Sequence, residues 1–268
     1  MCEHCAQAAQ ESPESQRREK LARMRHSTSH IMAQAVRMLF PEVKFAIGPS
    51  IADGFYYDFD LPRPLTDADL EAISAKMKEI VKSNVPFEHS AMTKDEARVF
   101  FADQPYKLEL IDKIADEDVS IYKQGDFTDL CAGPHVRRTG ECKHFKLTSV
   151  AGAYWRGDAT RPMLQRIYGT VWPTKNELEA FLAIQEEAKK RDHRKLGKEL
   201  DLFFMHPYAP GAIFWQPKGY TVYRELHNYW TEVQRAQGYI EIFNPIMNDA
   251  ELYRTSGHWD HYQDAMFK

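Results

Sequence analysis

Helix-start signals and aromatic, strand-like runs alternate along this chain, and that alternation restricts it to a mixed helix–sheet fold. Ser12-Pro13-Glu14 supplies a capping serine, a proline at the first helical position and an acid in the first turn. The helix that follows is predicted to run to Phe40, where Pro41 stops it. Thr66-Asp67-Ala68-Asp69 has the form of a capping box, with Leu70, Ile73, Met77, Ile80 and Val81 at helical spacing behind it. Thr93-Lys94-Asp95-Glu96 opens a third helix, and Thr174-Lys175-Asn176-Glu177 a long fourth, which Gly197 ends or interrupts. Phe55 to Phe59 follows an Asp53-Gly54 turn and reads as a strand, as does Gln165 to Trp172. Residues 119–150 read as short β pieces punctuated by Gly and Pro. Tyr220 to Gln237 reads as an amphipathic helix capped by Gly238, and Tyr239 to Phe243 as a strand ended by Pro245. The expected fold class is α+β (mixed α/β).

Composition excludes several functions. No run of about 18 apolar residues exists, so no membrane span is expected. Met1 to Arg25 is polar and is not a secretory signal. Four cysteines, at 2, 5, 131 and 142, are too few for a disulfide scaffold, which points to a reducing cytoplasm. Cys2-Glu3-His4-Cys5 has zinc-like spacing but no second ligand pair close by, so it reads as a flexible tail with free thiols. The net charge of −4 excludes a uniformly basic nucleic-acid binder. Charge is uneven, however: Lys189, Lys190, Arg191, Arg194, Lys195 and Lys198 form a basic run, either a solvated helix face or a phosphate contact.

Two spaced pairs carry the chemistry. His26 and His30 lie four apart on the first predicted helix, pointing the same way and off its main apolar face. Cys131 and His135 lie four apart around a Gly133-Pro134 turn. The HxxxH pair lacks the glutamate of metalloproteases, since Ser27 and Thr28 fill the inner positions. Together the pairs offer three imidazoles and a thiol, a set able to bind zinc or to position a water by hydrogen bonds alone.

The strings His26-Ser27-Thr28-Ser29-His30, Gly54 to Asp58, Asp129 to His135 and Ala151 to Asp158 resemble the editing domain of threonyl-tRNA synthetases. Lys189 to Lys195 resembles the helix that links that domain to the catalytic domain. Gly238 to Pro245 looks like class II motif 1, and Thr255 to Tyr262 like the segment after it. The resemblance implies a tail over 1–19 and a helix-flanked antiparallel editing domain over 20–185. It implies a basic linker helix over 186–200, then over 201–268 the opening of a class II antiparallel domain cut short before its active site. It implies hydrolysis of mischarged seryl-tRNA(Thr), with His26, His30, Lys107, Asp129, Cys131 and His135 catalytic and Tyr57 binding substrate. Replacing His26 or Lys107 by Ala is expected to remove that activity and leave the fold intact. No cofactor is expected in this chain; the full-length family uses ATP, magnesium and zinc, with zinc ligands beyond Lys268. The implied partners are tRNA(Thr), serine or threonine as the amino acid, and a second subunit paired through motif 1. Two other readings compete: a free-standing alanyl-type deacylase, which can hold zinc, and a non-catalytic tRNA-binding or dimerisation module.

Overall fold

The structure is a computed structural model and describes residues 12–266. The Cys2–Cys5 motif lies outside those residues. The first helix, α1 (Pro13–Leu39), starts where the Ser12 side chain accepts the Ser15 N–H at 3.2 Å. Residues 13–19, assigned to a tail from the sequence, are therefore the opening turns of α1, held by that cap and by Pro13.

The chain divides into two compact units, the first ending at Glu186 and the second starting at Glu187. In the first, α1 leads into β1 (Lys44–Phe45), β2 (Ser50–Ile51) and β3 (Gly54–Asp60). Next come α2 (Asp67–Ser83), β4 (Phe87–Thr93), α3 (Lys94–Phe100) and α4 (Pro105–Ile111). Then follow β5 (Asp118–Gln124), β6 (Phe127–Leu130), β7 (His144–Tyr154), β8 (Met163–Trp172) and α5 (Lys175–Lys190), the last running across the boundary. Both expected capping boxes form, Thr66 with Asp69 on α2 and Thr93 with Glu96 on α3.

All strand pairings are antiparallel. One sheet runs β1-β3-β8-β7 with β2 also on β3; the other is a β4-β5-β6 meander. The second half of α1 packs on β3, β8 and α2. Its Ile31, Met32, Ala35 and Val36 meet Phe55, Tyr57, Phe59, Ile73, Met77 and Ile167 in the main core, all fully buried. Each large aliphatic side chain there contributes about 1.5–3 kcal/mol. Gly48 lies flat on Tyr57: a Cβ at that position would stand 2.1 Å from the ring. The short α4 spans two smaller clusters, with Ile111 in the one against β5 and Tyr106 in the one with Ala46, Trp155 and Leu164.

In the second unit the basic run is not one helix. It breaks at Arg191-Asp192, because the Asp192 carboxylate accepts the Arg194 N–H at 2.8 Å and caps α6 (His193–Glu199). Gly197 sits inside α6, where a Cβ would meet the Phe203 ring at 2.5 Å. Several of the cations are exposed and paired with Glu187, Asp192 or Glu199, a solvated and ion-paired surface. A two-residue hairpin, β9 (Phe203–Phe204) with β10 (Phe214–Trp215), precedes α7 (Pro217–Ala236). Gly238 caps α7 at φ +87°, with Tyr239 N–H reaching back to Gln234 O.

Residues 239–243, expected as a strand, form none. A strand needs a neighbour for its backbone groups, and among the described residues this segment has no ladder partner. Ile240, Ile242 and Phe243 are 87%, 76% and 92% exposed, and Leu226, Tyr229 and Trp230 on α7 are exposed as well. Exposed apolar side chains in this number favour association. The chain is therefore expected to self-associate with rising concentration in sedimentation equilibrium, with fast amide exchange over 239–249. A monomer at all concentrations, with slow exchange through 239–249, would contradict this.

Candidate active site

Five separate segments bring together all seven residues singled out from the sequence. His26 and His30 stand one turn apart on α1, Tyr57 on β3, Lys107 on α4, Asp129 on β6, and Cys131 and His135 in the loop after β6. They form two layers.

The inner layer is buried. Tyr57, Lys107, Asp129 and His30 are each 3% exposed or less. The Tyr57 hydroxyl donates to Asp129 Oδ2 at 2.6 Å and accepts from Lys107 Nζ at 3.0 Å. Lys107 Nζ also pairs with Asp129 Oδ1 at 2.5 Å. Asp129 belongs to the meander and Tyr57 to the five-stranded sheet, so one carboxylate joins the two sheets. His30 Nδ1 lies 3.7 Å from Asp129 Oδ2, beyond a hydrogen bond.

The outer layer is half-buried. Cys131 Sγ lies 3.3 Å from His26 Nε2 and 3.2 Å from His135 Nε2, and accepts the Gly133 N–H at 3.2 Å. The His26 and His135 rings stack at 4.3 Å, and Phe87 stacks on His135 at 4.8 Å with its plane 2° away. Tyr122 packs its ring edge to face with His135 at 4.4 Å. Gly133 has φ +68°, and a Cβ there would stand 2.4 Å from the Tyr122 hydroxyl, so only glycine fits this turn. Ser27 holds the loop: its hydroxyl donates to Arg23 O at 2.8 Å and accepts the Val136 N–H at 2.9 Å. With its proton committed, Ser27 Oγ accepts from His135 Nδ1 at 3.0 Å, which leaves His135 Nε2 as a lone pair facing Cys131. Ser27, Phe87 and Tyr122 were not among the residues read from the sequence. The signal for Ser27 was a small hydroxyl inside the HxxxH motif; Phe87 and Tyr122 lie on strands whose facing directions the sequence did not fix.

Burial sets the protonation states. Desolvation lowers the pKa of His26, against a hydrogen bond that its ring donates to the Pro134 carbonyl and the charge of Asp129. Desolvation, then His26 and Lys107, drives His30 well down; desolvation, then His30 and His26, lowers His135. The Cys131 thiol is pushed up to about 12 by burial. At neutral pH the layer holds neutral imidazoles and a neutral thiol, which is a poor nucleophile.

The outer layer faces two clefts. One, of about 260 Å³, is lined by Glu19, Ala22, Arg23, His26, Ser50, Gly133 and Pro134. The other, of about 360 Å³, has His135 at its wall with Lys20, Arg23 and Arg137.

The ligand atoms of His26, His30, Cys131 and His135 lie within 4.8 Å of one another. Tetrahedral zinc has bonds of about 2.0–2.3 Å, so this donor set fits such an ion after modest contraction. His26, Cys131 and His135 would hold it and leave a fourth position for water.

Residues 119–168, from β5 through most of β8, match the threonyl and alanyl tRNA synthetase second additional domain. Asp129, Cys131 and His135 fall inside that match; His26, His30, Tyr57 and Lys107 fall outside it. The chain is 54% identical over 252 residues to a threonine–tRNA ligase of Teredinibacter turnerae, covering 93% of this chain and 40% of that protein. It is also 54% identical over 245 residues to one of Dehalococcoides mccartyi, covering 91% and 42%. A third, from Symbiobacterium thermophilum, is 53% identical over 247 residues, covering 91% and 38%. The chain thus spans about two fifths of the length of the relatives it matches, and the resemblance read from its motifs extends through nine tenths of its own length. No helix among the described residues is long and apolar enough to cross a membrane.

The buried pair corrects one expectation. Lys107→Ala would leave the Asp129 carboxylate buried with the Tyr57 hydroxyl and no counter-charge, so the change is expected to destabilise the fold as well. It is expected to cost about 3–5 kcal/mol in denaturant unfolding, and the double change Lys107→Met with Asp129→Leu less than the two singles summed. Equal stability of Lys107→Ala and the unaltered chain would contradict the pairing. The imidazoles add a pH dependence. Their folded pKa values are depressed, so below the ordinary value of about 6.5 the unfolded chain binds more protons, and stability falls with falling pH. The melting temperature in chelator should therefore drop between pH 7 and pH 5, and His26→Ala should reduce the slope.

Proposed function

We propose that this chain is a proofreading portion of a threonine–tRNA ligase, and that its site hydrolyses seryl-tRNA(Thr). The observation that carries this reading is the convergence of His26 and His135, each at the wall of a cleft, on Cys131 beside the buried Lys107–Asp129–Tyr57 group. The similarity to threonine–tRNA ligases supports it. On this reading residues 20–185 form the editing domain, residues 201–268 open a class II domain, and the protein works in the cytoplasm. Residues 186–200 form the basic link between them.

Serine and threonine differ by one methyl group, which a pocket distinguishes by only about 1–3 kcal/mol. A second site that admits the smaller seryl ester and destroys it supplies the missing discrimination.

Hydrolysis needs a water whose oxygen attacks the ester carbon while a base takes its proton, stabilisation of the oxyanion, and return of that proton to the ribose oxygen as the acyl C–O bond breaks. His26 stands at the smaller cleft as a neutral imidazole, and is assigned as that base. The Lys107 ammonium is held in place by Asp129 and Tyr57, and its field reaches Cys131. Buried and lining neither cleft, it is assigned a positioning role beneath the reacting centre and not contact with the carbonyl. His135, walled with Lys20, Arg23 and Arg137, is assigned to the terminal adenosine and its phosphates. His30 is too buried for that role and instead seats the His26 and His135 rings, at 5.1 and 4.5 Å. The Asp129 carboxylate is committed inside the core, so the substrate ammonium meets the Cys131 side of the site first. The neutral Cys131 thiol argues for direct attack by water over an acyl-thiol intermediate.

In a deacylation assay, seryl-tRNA(Thr) should be cleaved and threonyl-tRNA(Thr) largely spared. His26→Ala should slow cleavage by about 10²–10⁴-fold with the fold retained. Equal rates on both esters would remove the sieve.

The donor set favours a second reading, in which zinc at His26, Cys131 and His135 supplies Lewis acidity to a bound water as in alanyl-type deacylases. We hold to the metal-free reading. The similarity is to threonine–tRNA ligases, whereas zinc belongs to the alanyl-type relatives; the Lys107–Asp129 pair does not decide the matter, because at Cys131 the carboxylate outweighs the ammonium. Chelation should leave the deacylation rate unchanged. Stoichiometric zinc whose removal abolishes hydrolysis, restored on re-addition, would decide for the alanyl-type mechanism.

A further inference from the structure

The helix that carries Lys107 is too short to fix its own position. α4 has seven residues, and its N-cap, Gln104, makes no capping hydrogen bond. Helices of this length are marginal without outside support. Gln104 is instead tied to β1, accepting the Phe45 N–H at 2.8 Å. Two residues beyond Lys107, the Glu109 carboxylate is gripped from outside. It accepts the Trp155 Nε1–H at 2.8 Å and Arg161 Nη1 at 3.0 Å on both oxygens, and Arg156 Nε lies 3.1 Å away.

All three donors belong to residues 155–162, the loop joining β7 to β8, and that loop is built to hold its shape. Trp155 N–H donates to Pro162 O at 3.0 Å, and the Asp158 carboxylate accepts from both the N–H and the hydroxyl of Thr160. Arg156 and Gly157 adopt φ of +60° and +73°, two successive left-handed residues that turn the chain back toward α4. Left-handed geometry is costly at an arginine and persists where the surroundings impose it. Trp155 is 3% exposed and lies edge-on to Tyr106 at 5.1 Å, and the Tyr106 hydroxyl donates to Asp60 at 2.8 Å. Tyr106, one residue before Lys107, and Glu109, two residues after it, thus both touch this loop.

We propose that the 155–162 loop, acting through Glu109, is a positioning clamp that sets where the Lys107 ammonium stands beside Asp129. Glu109, Trp155 and Arg161 are positioning residues under this proposal, which rests on the hydrolytic reading above.

The test compares Glu109→Ala, Glu109→Gln and Trp155→Phe with the unaltered chain by two readouts. The first is acetylation of Lys107 by an amine-acylating reagent, followed by mass spectrometry of its peptide, which needs no enzymatic activity. The second is kcat and KM for seryl-tRNA(Thr) deacylation. Glu109→Ala should raise Lys107 labelling about ten-fold by loosening α4. It should lower kcat about ten-fold with KM within about two-fold, as expected when only transition-state interactions are lost. Glu109→Gln keeps one acceptor oxygen, enough for Trp155 and one Arg161 bond, and should restore part of both; Trp155→Phe keeps the packing and should also fall between the unaltered chain and Glu109→Ala. A purely structural role would lower the folded fraction and leave kcat per folded molecule unchanged, which overturns the clamp. Unchanged Lys107 labelling in Glu109→Ala overturns it too. If the unaltered chain cleaves no ester, the hydrolytic reading fails, and the labelling still decides whether Glu109 fixes Lys107.

Discussion

The structure of the first unit depends on one buried carboxylate. Asp129 reaches from the three-stranded meander to a phenol on the five-stranded sheet and an ammonium on α4. A buried ion pair of this kind adds little net stability compared with apolar residues of the same volume. Its value lies in specificity. Of the ways these two sheets could pack, only those that bring Tyr57 and Lys107 to Asp129 avoid leaving a charge unsatisfied in the core. The packing that satisfies it is also the packing that sets Cys131, two residues on, against the α1 histidines.

The same burial sets the chemistry in front. Desolvation keeps His26 and His135 neutral and Cys131 protonated, so the layer facing the clefts is a cluster of lone pairs with few protons. Such a cluster can hold a water by hydrogen bonds and also suits a soft metal ion.

Much of the local structure was legible in the sequence. The boxes at Thr66 and Thr93, the cap at Ser12 and the stop at Gly238 each depend on two or three adjacent residues, and each formed as read. Site membership was legible only through the motif resemblance. Nothing in the spacing of Tyr57, Lys107 and Asp129 shows that they touch, since they lie 50 and 22 residues apart and on different elements. The depth of His30 was hidden for a similar reason. Its helix face looked polar because Ser27 and Ser29 flank the histidines, yet their hydroxyls turn inward to backbone carbonyls and let that face be buried. Residues 239–243 had strand-like composition but no partner strand, and composition cannot supply one. The break at Asp192 was missed because an aspartate among basic residues looks like charge compensation, when its side chain was a cap.

The hairpin between β5 and β6 has a consequence for how this chain can vary. Gln124 pairs with Phe127 across a turn of two residues, and Tyr122 pairs with Asp129. Cys131 comes one residue past the end of the strand, two after Asp129, with its N–H still tied to Ser120 O on β5 at 3.1 Å. One residue gained or lost between Gly125 and Asp129 would turn Asp129 to the opposite side and shift Cys131 with it, taking the carboxylate from Lys107 and the thiol from the histidines at once. Insertions here are thus ruled out by geometry more strictly than most point substitutions are. The spacing between this turn and the cysteine should persist in lineages whose site residues have themselves begun to drift.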